Sequence, residues 1–222
     1  KECQRILKPT GTFWVIGMYH NIFRVGKIMQ DLGLWFLNDV IWVKTDALPN
    51  LNGRRFTNNH ETIIWSVKNK NSKGYTFNYE FLKKMNGGKQ MKDTDWVFGL
   101  CRGQERLRDI NGIKSHPTQK PLKLIQQVLL SASSKGDLVF DPFLGSGTTS
   151  LAAKNLSRNS IGYEIGTTFI PIIKNKLKIS ERDIFGDATY DFVTRKQADE
   201  NFTEDIQLLP YKFTDPHELD KK

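Results

Sequence analysis

Cysteine, histidine and long apolar runs are scarce in this sequence, and each shortage removes a class of protein. Cys3 and Cys101 are the only cysteines among 222 residues, and neither stands in a CxxC pair or at metal-ligand spacing from a histidine. This argues against a disulfide-stapled scaffold and against a zinc site, so no metal is expected. No apolar stretch approaches the roughly 20 residues of a membrane-spanning helix, and no signal-peptide pattern is visible. No membrane partner is expected, and a reducing cytoplasm is the natural compartment.

What is present is an ordinary globular composition, 38% hydrophobic and 26% charged, in a length that can bury one sizeable core. The charge is uneven. Residues 1–120 hold 20 Lys+Arg against 10 Asp+Glu, whereas residues 121–222 hold 13 against 14. A one-sided basic balance suits a surface for a polyanion, and charge alone serves a merely solvated basic face equally well.

Hydrophobic periodicity orders the chain. Dense β-branched and aromatic runs predict strands at Gly11–Met18, Trp35–Lys44, Glu61–Lys68 and Tyr75–Tyr79. Ile22, Val25, Ile28 and Met29 fall at helical spacing and end at Gly33. Residues 45–60, "TDALPNLNGRRFTNNH", break regular structure with Pro, Gly and Asn. Residues 78–108 are polar and read as a variable excursion outside the core. Helical spacing returns at Leu122, Ile125, Val128 and Leu129. A strand (Asp137–Phe140), a glycine turn, a helix (Thr148–Leu156), a strand (Ser160–Ile165) and a helix (Phe169–Leu177) follow. Strands alternating with helices imply an α/β fold with a mostly parallel sheet and helices on both faces. The chain opens on "KECQRILKPTG", which reads as the last turns of a helix, so an N-terminal segment is expected to precede it.

The turn "DPFLGSGTT" (Asp141–Thr149) is the candidate ligand site, because a strand-to-helix turn sets backbone N–H groups beside a crevice. Three ligands compete. A nucleoside triphosphate loop needs Gly-Lys-Ser/Thr, and here Gly147 precedes Thr148. The dinucleotide pattern GxGxxG is met at Gly145 and Gly147 but fails at Ser150. S-adenosylmethionine carries no phosphate but has a ribose and a charged methionine end. Glu164, 17 residues after Gly147, is placed to accept both ribose hydroxyls, and Asp141 suits a cationic ammonium group. A ligand-free tight turn and a water-facing Glu164 are the plainer alternatives. Upstream, "HPTQKPLKLI" starts a helix that would bring Thr118, Gln119 and Lys120 to the cofactor's carboxylate end.

Read in order, "HPTQKP", "DPFLGSGTT" and "IGYEI" resemble the permuted, β-class DNA amino-methyltransferases. "CQRILKPTGTFWVIG", "NDVIWVKTDALPN", "GRRFTNNHETIIW", "FNYEFLKKMNGGKQM" and "ERLRDINGIKSHPTQKP" resemble phrases of the adenine-N6 branch, typified by GANTC- and GATC-type enzymes. The resemblance runs roughly from Glu2 to Leu177 and implies a Rossmann-like methyltransferase fold. It places Asp141, Phe143, Gly145, Gly147 and Thr148 around S-adenosylmethionine, Glu164 at its ribose, and Thr118, Gln119 and Lys120 at its methionine end. Arg54, Arg55, Asn58, Asn59 and His60 would lie near double-stranded DNA. The implied organisation is a catalytic-half part at 1–68, a target-recognition excursion at 69–114, a cofactor-binding part at 115–180 and an acidic extension at 181–222. A prokaryotic or phage cytoplasmic enzyme is implied, with a homodimer and a cognate restriction endonuclease as further partners.

One feature departs from that family. Its catalytic signature, Asp/Asn/Ser-Pro-Pro followed by an aromatic residue, is absent from the sequence, so no catalytic residue is assigned. In the permuted order that motif would precede "KECQRILKPTG". Cytosine-N4 methylation is the alternative activity, and a cofactor- and DNA-binding chain without catalysis is the alternative class. A nicotinamide-dependent oxidoreductase would leave "HPTQKP" unexplained.

Overall fold

A computed structural model describes residues 1–90, 94–107, 119–177 and 189–194. The chain divides into a compact unit, Lys1–Ile184, and a second, Phe185–Lys222, whose described residues 189–194 lack regular secondary structure. Most of the acidic extension therefore lies outside the described residues.

In the first unit a short helix α1 (Glu2–Ile6) leads to strand β1 (Thr12–Gly17), helix α2 (Ile22–Asp31), and strands β2 (Trp35–Val43) and β3 (His60–Val67). Helix α3 (Tyr79–Met85) and strand β4 (Asp95–Val97) come next, then helix α4 (Leu122–Ala132). Strand β5 (Leu138–Asp141), helix α5 (Thr148–Asn155), strand β6 (Asn159–Gly162) and helix α6 (Ile170–Leu177) complete it. The first four strands form one sheet in the order β1-β3-β2-β4, and β5 pairs with β6 in a second. Parallel pairing occurs between β5 and β6, joined by the α5 crossover, and between β2 and β4. β1 and β2 also run the same way, joined through α2. β3 is inserted between them and antiparallel to both, because an irregular loop carries β2 into it with no crossover helix.

The two-residue period of the strands sorts the core. Phe13, Val15 and Ile64 point to α2, where they meet Ile22 and Met29. Trp14, Ile16, Val40, Trp42 and Ile63 point to the other face and meet Leu124 of α4. α2 approaches closely at Gly26, where an added Cβ would stand 3.2 Å from Ile64 Cδ1. α2 ends on Gly33, whose left-handed φ of +82° lets Leu34 donate to Met29 O and Gly33 donate to Gln30 O. Leu34 then buries beside Met29. Behind the second sheet, Ile125 and Leu129 of α4 pack on Ala152 and Ala153 of α5, with Ile16 and Val139 against the same cluster.

Two expectations change. Residues 75–77 are irregular and Tyr79 starts α3, so the expected strand at Tyr75–Tyr79 is absent. Asn78 explains the turn. Its Nδ2 donates to Leu130 O and Ser133 O, both at 2.8 Å, and so closes the end of α4. The described residues of this stretch, 78–90 and 94–107, also join the core rather than standing apart, through buried Leu82 and Cys101 and the pairing of β4 with β2. Among the described residues, no helix is long and apolar enough to cross a membrane. Nor is there a group of three His, Cys, Asp or Glu that could hold a metal.

Candidate functional site

The β5–α5 turn is built from backbone conformations that side chains resist. Gly145 and Gly147 adopt φ of +56° and +81°. A Cβ at Gly147 would also press to 3.3 Å from Ile173 Cγ2 on α6. The adjoining β6 end holds the turn in place. Leu144 N donates to Tyr163 O at 2.8 Å and Tyr163 N to Asp141 O at 2.9 Å. Glu164 completes the tie, with Oε2 accepting from Gly145 N at 2.8 Å and Oε1 from Gly166 N at 2.7 Å. Each carboxylate oxygen retains a second acceptor position. Glu164 lies just past β6, not at its last position.

Asp141 is likewise fixed, accepting from Phe143 N at 3.0 Å and from Thr149 Oγ1 at 2.6 Å. Phe143 and Ile165 leave apolar surface open on this rim, at 86% and 85% exposure. Thus Asp141, Phe143, Gly145, Gly147, Thr148 and Glu164 share one turn. Thr149 and Ile165, the last residues of the phrases "DPFLGSGTT" and "IGYEI", adjoin them, and only the structure gives each a place at the site.

Below the turn lies a lysine that no motif singles out. Lys176 of α6 donates to Thr148 Oγ1 at 2.7 Å and to Ser146 Oγ at 3.0 Å, and both hydroxyl residues are buried. Burial pulls its ammonium down to about 8, against weaker support from Cys101 and Glu105. Burial likewise pushes the Cys101 thiol up to about 11, helped by the nearby Glu105 carboxylate. Cys101 is therefore a neutral, inert thiol at physiological pH.

Thr118 lies outside the described residues. Gln119 is buried and spends its amide on the backbone, donating to Glu105 O at 2.7 Å and accepting from Leu107 N at 3.2 Å. Lys120 bonds Glu61 Oε2 at 2.8 Å and stands over the Trp42 ring. Lys44 takes the other Glu61 oxygen at 3.0 Å. Burial would raise the Glu61 carboxyl, but the two ammonium groups outweigh it and hold it below its usual range.

The third region is the loop between β2 and β3. Arg54, Arg55 and Asn59 are exposed, and His60 opens β3 with Nδ1 3.3 Å from Asn59 Oδ1. Lys44 N donates to Asn59 O at 2.7 Å, closing the loop's base. The Asn58 side-chain nitrogen is enclosed with no partner among the described residues.

Comparisons with known proteins bear on the family and the fold. The model of the N6/N4 DNA methylase family matches residues 1–175. The chain is similar to the type II methyltransferase M.HinfI of Haemophilus influenzae, 50% identical over 80% of this chain and 49% of that protein. It is also similar to the type II methyltransferase M2.DpnII of Streptococcus pneumoniae, 39% identical over 79% of this chain and 63% of that one. The chain thus spans about half the length of the first relative and under two thirds of the second. Among solved structures, the M1.HpyAVI–SAM complex matches with a TM-score of 0.60 and 28% identity, over 77% of this chain and 76% of that one. The PvuII cytosine-N4-specific DNA methyltransferase shares the fold, with a TM-score of 0.63 at 23% identity, over 78% of this chain and 66% of that one. The glycine turn clasped by Glu164, the α/β layers around it and a family match over most of the chain lead to one conclusion: this chain belongs to the N6/N4 DNA methylase family.

Proposed function

We propose that this chain is the cofactor-binding and DNA-facing part of a site-specific methyltransferase that moves a methyl group from S-adenosylmethionine to the N6 amine of adenine in duplex DNA. The observation that carries the reading is the double clasp of Glu164. With both oxygens held by Gly145 and Gly166, the carboxylate needs little reordering to accept a ribose diol at its remaining positions. Exposed Phe143 and Ile165 offer an apolar seat for the adenine ring beside it. Asp141, oriented by Thr149, supplies a carboxylate for the methionine ammonium. These residues fit the cofactor. When bound, it supplies a sulfonium methyl that a positioned amine can attack.

On the DNA side the proposal uses Arg54, Arg55, Asn58, Asn59 and His60, with residues 69–114 contributing target recognition. Lys120 and Gln119, tied to Glu61 and to Glu105 and Leu107, serve to fix the segment that leads into α4. A homodimer, a cognate endonuclease and a cytoplasmic location belong to the same reading. M.HinfI and M2.DpnII, both named type II methyltransferases, support it.

The test is mass spectrometry of nucleosides after the full-length gene product has acted on methyl-free DNA with S-adenosylmethionine. N6-methyladenine is the expected product. N4-methylcytosine would select the alternative activity, and no methylated base with cofactor still bound would select a non-catalytic role.

A further inference from the structure

The loop between β2 and β3 carries an apolar tip on a basic base. Leu48, Leu51 and Phe56 are exposed to 73%, 92% and 99%, far beyond what a lone surface hydrophobe requires. The loop is nevertheless a braced structure. Asn50 O and Oδ1 accept from Gly53 N and Asn52 N at 3.0 and 3.2 Å, and Asn50 Nδ2 donates to Arg55 O at 3.3 Å. The Arg55 guanidinium donates to the Tyr19 hydroxyl at 2.9 Å, pinning the loop to the turn before α2. Asp46 is the one carboxylate in residues 45–60, and Arg102 and Leu100 N take it up. The tip therefore presents an exposed aromatic ring directly after two arginines, and the loop's one carboxylate is engaged elsewhere.

We propose that Phe56 is a wedge that inserts into the base stack of duplex DNA, with Arg54 and Arg55 on the flanking phosphates. The proposal rests on the DNA reading above and adds a stacking residue to it. The chemistry selects the partner. A polyanion alone would satisfy the arginines and leave the ring in water. A stack of bases satisfies both, since apolar side chains enter opened base steps while cations hold the backbone. Such a wedge would also ease extrusion of a target base, because an opened step has already lost part of its stacking.

The experiment measures binding of the wild-type chain, Phe56→Ala and Phe56→Trp to sheared, amplified, methyl-free genomic DNA and to heparin, a polyanion without bases. Loss of one base–aromatic stack should weaken DNA binding by Phe56→Ala roughly 5- to 150-fold. Phe56→Trp should retain affinity, and DNA but not heparin should quench its added emission. Heparin affinity should be equal for all three. Full DNA affinity in Phe56→Ala would overturn the wedge and leave the DNA reading standing. No DNA binding by the wild type would overturn both. Sedimentation showing a wild-type dimer that Phe56→Ala dissociates would assign the tip to a second copy of the chain and overturn the wedge.

Discussion

Glu61 is shared by two lysines, with Lys44 Nζ 3.0 Å from Oε1 and Lys120 Nζ 2.8 Å from Oε2, and both ammonium groups lie over the Trp42 ring. β3 supplies the carboxylate, the end of β2 one cation and the approach to α4 the other. A short ionic knot thus fixes three segments that are far apart in sequence.

Glu61→Gln should destabilise the protein by about 3 kcal/mol, because buried Lys44 and half-buried Lys120 would lose their counter-charge together. Adding Lys44→Met to Glu61→Gln should recover part of that loss. The Glu61 carboxyl is held below its ordinary 4.5, so the unfolded chain binds its proton first as pH falls. Its stabilising contribution is present above pH 4.5 and is lost as pH falls through the lower folded value. Urea unfolding of wild type and variant between pH 7 and pH 3 checks both statements, and equal midpoints throughout would refute them.

Lys176 and Cys101 give an alkaline signature of opposite signs. Lys176 falls from 10.5 to about 8 on folding, so between these values the unfolded chain holds more protons and stability rises with pH. Cys101 rises from 9.0 to about 11, so over that window the folded chain holds more protons and stability falls. Stability should climb from pH 8 to 9, level off to about pH 10.5, then decline. Lys176→Met should abolish the climb and Cys101→Ala the decline, read as urea midpoints across that range. Iodoacetamide at pH 8 should label part-exposed Cys3 and spare buried Cys101.

Glu164→Ala removes the acceptor of Gly145 N–H and Gly166 N–H. Affinity for S-adenosylmethionine, measured by calorimetry, should drop by tenfold or more, about 1.4 kcal/mol or above for charge-assisted bonds. DNA affinity should stay within a factor of about two, below 0.5 kcal/mol. Thr149→Val should weaken cofactor binding less, because Asp141 keeps its bond from Phe143 N.

Binding by the basic half should depend steeply on salt, since each phosphate neutralised releases counterions. Arg54→Gln with Arg55→Gln should weaken DNA binding and lower the salt slope by about 1 to 2. Arg55→Gln also cuts the Tyr19 tie, so Tyr19→Phe should show the smaller part of the effect. A slope unchanged in the double variant would remove these arginines from the interface.

The sequence by itself determined the elements whose burial has a period. β1, β2 and β3 lie within a residue or so of their expected bounds, because alternate side chains face two different helix layers. α2 and α4 are equally legible, since their apolar stripes and the Gly33 stop are local signals, and α5 follows from the glycine turn that starts it. The glycine turn is legible because positive φ strongly favours glycine where the chain must turn that way. Tertiary structure alone decided the rest. α3 is short, and its start follows Asn78 reaching the end of α4, a contact 52 residues distant. Lys176 and the Glu61 knot carry no local pattern, because a hydrogen bond or ion pair depends on which segments packing brings together. Even β3, plain as a strand, took its antiparallel place between β1 and β2 from the connection that delivers it, and only the folded sheet reveals that.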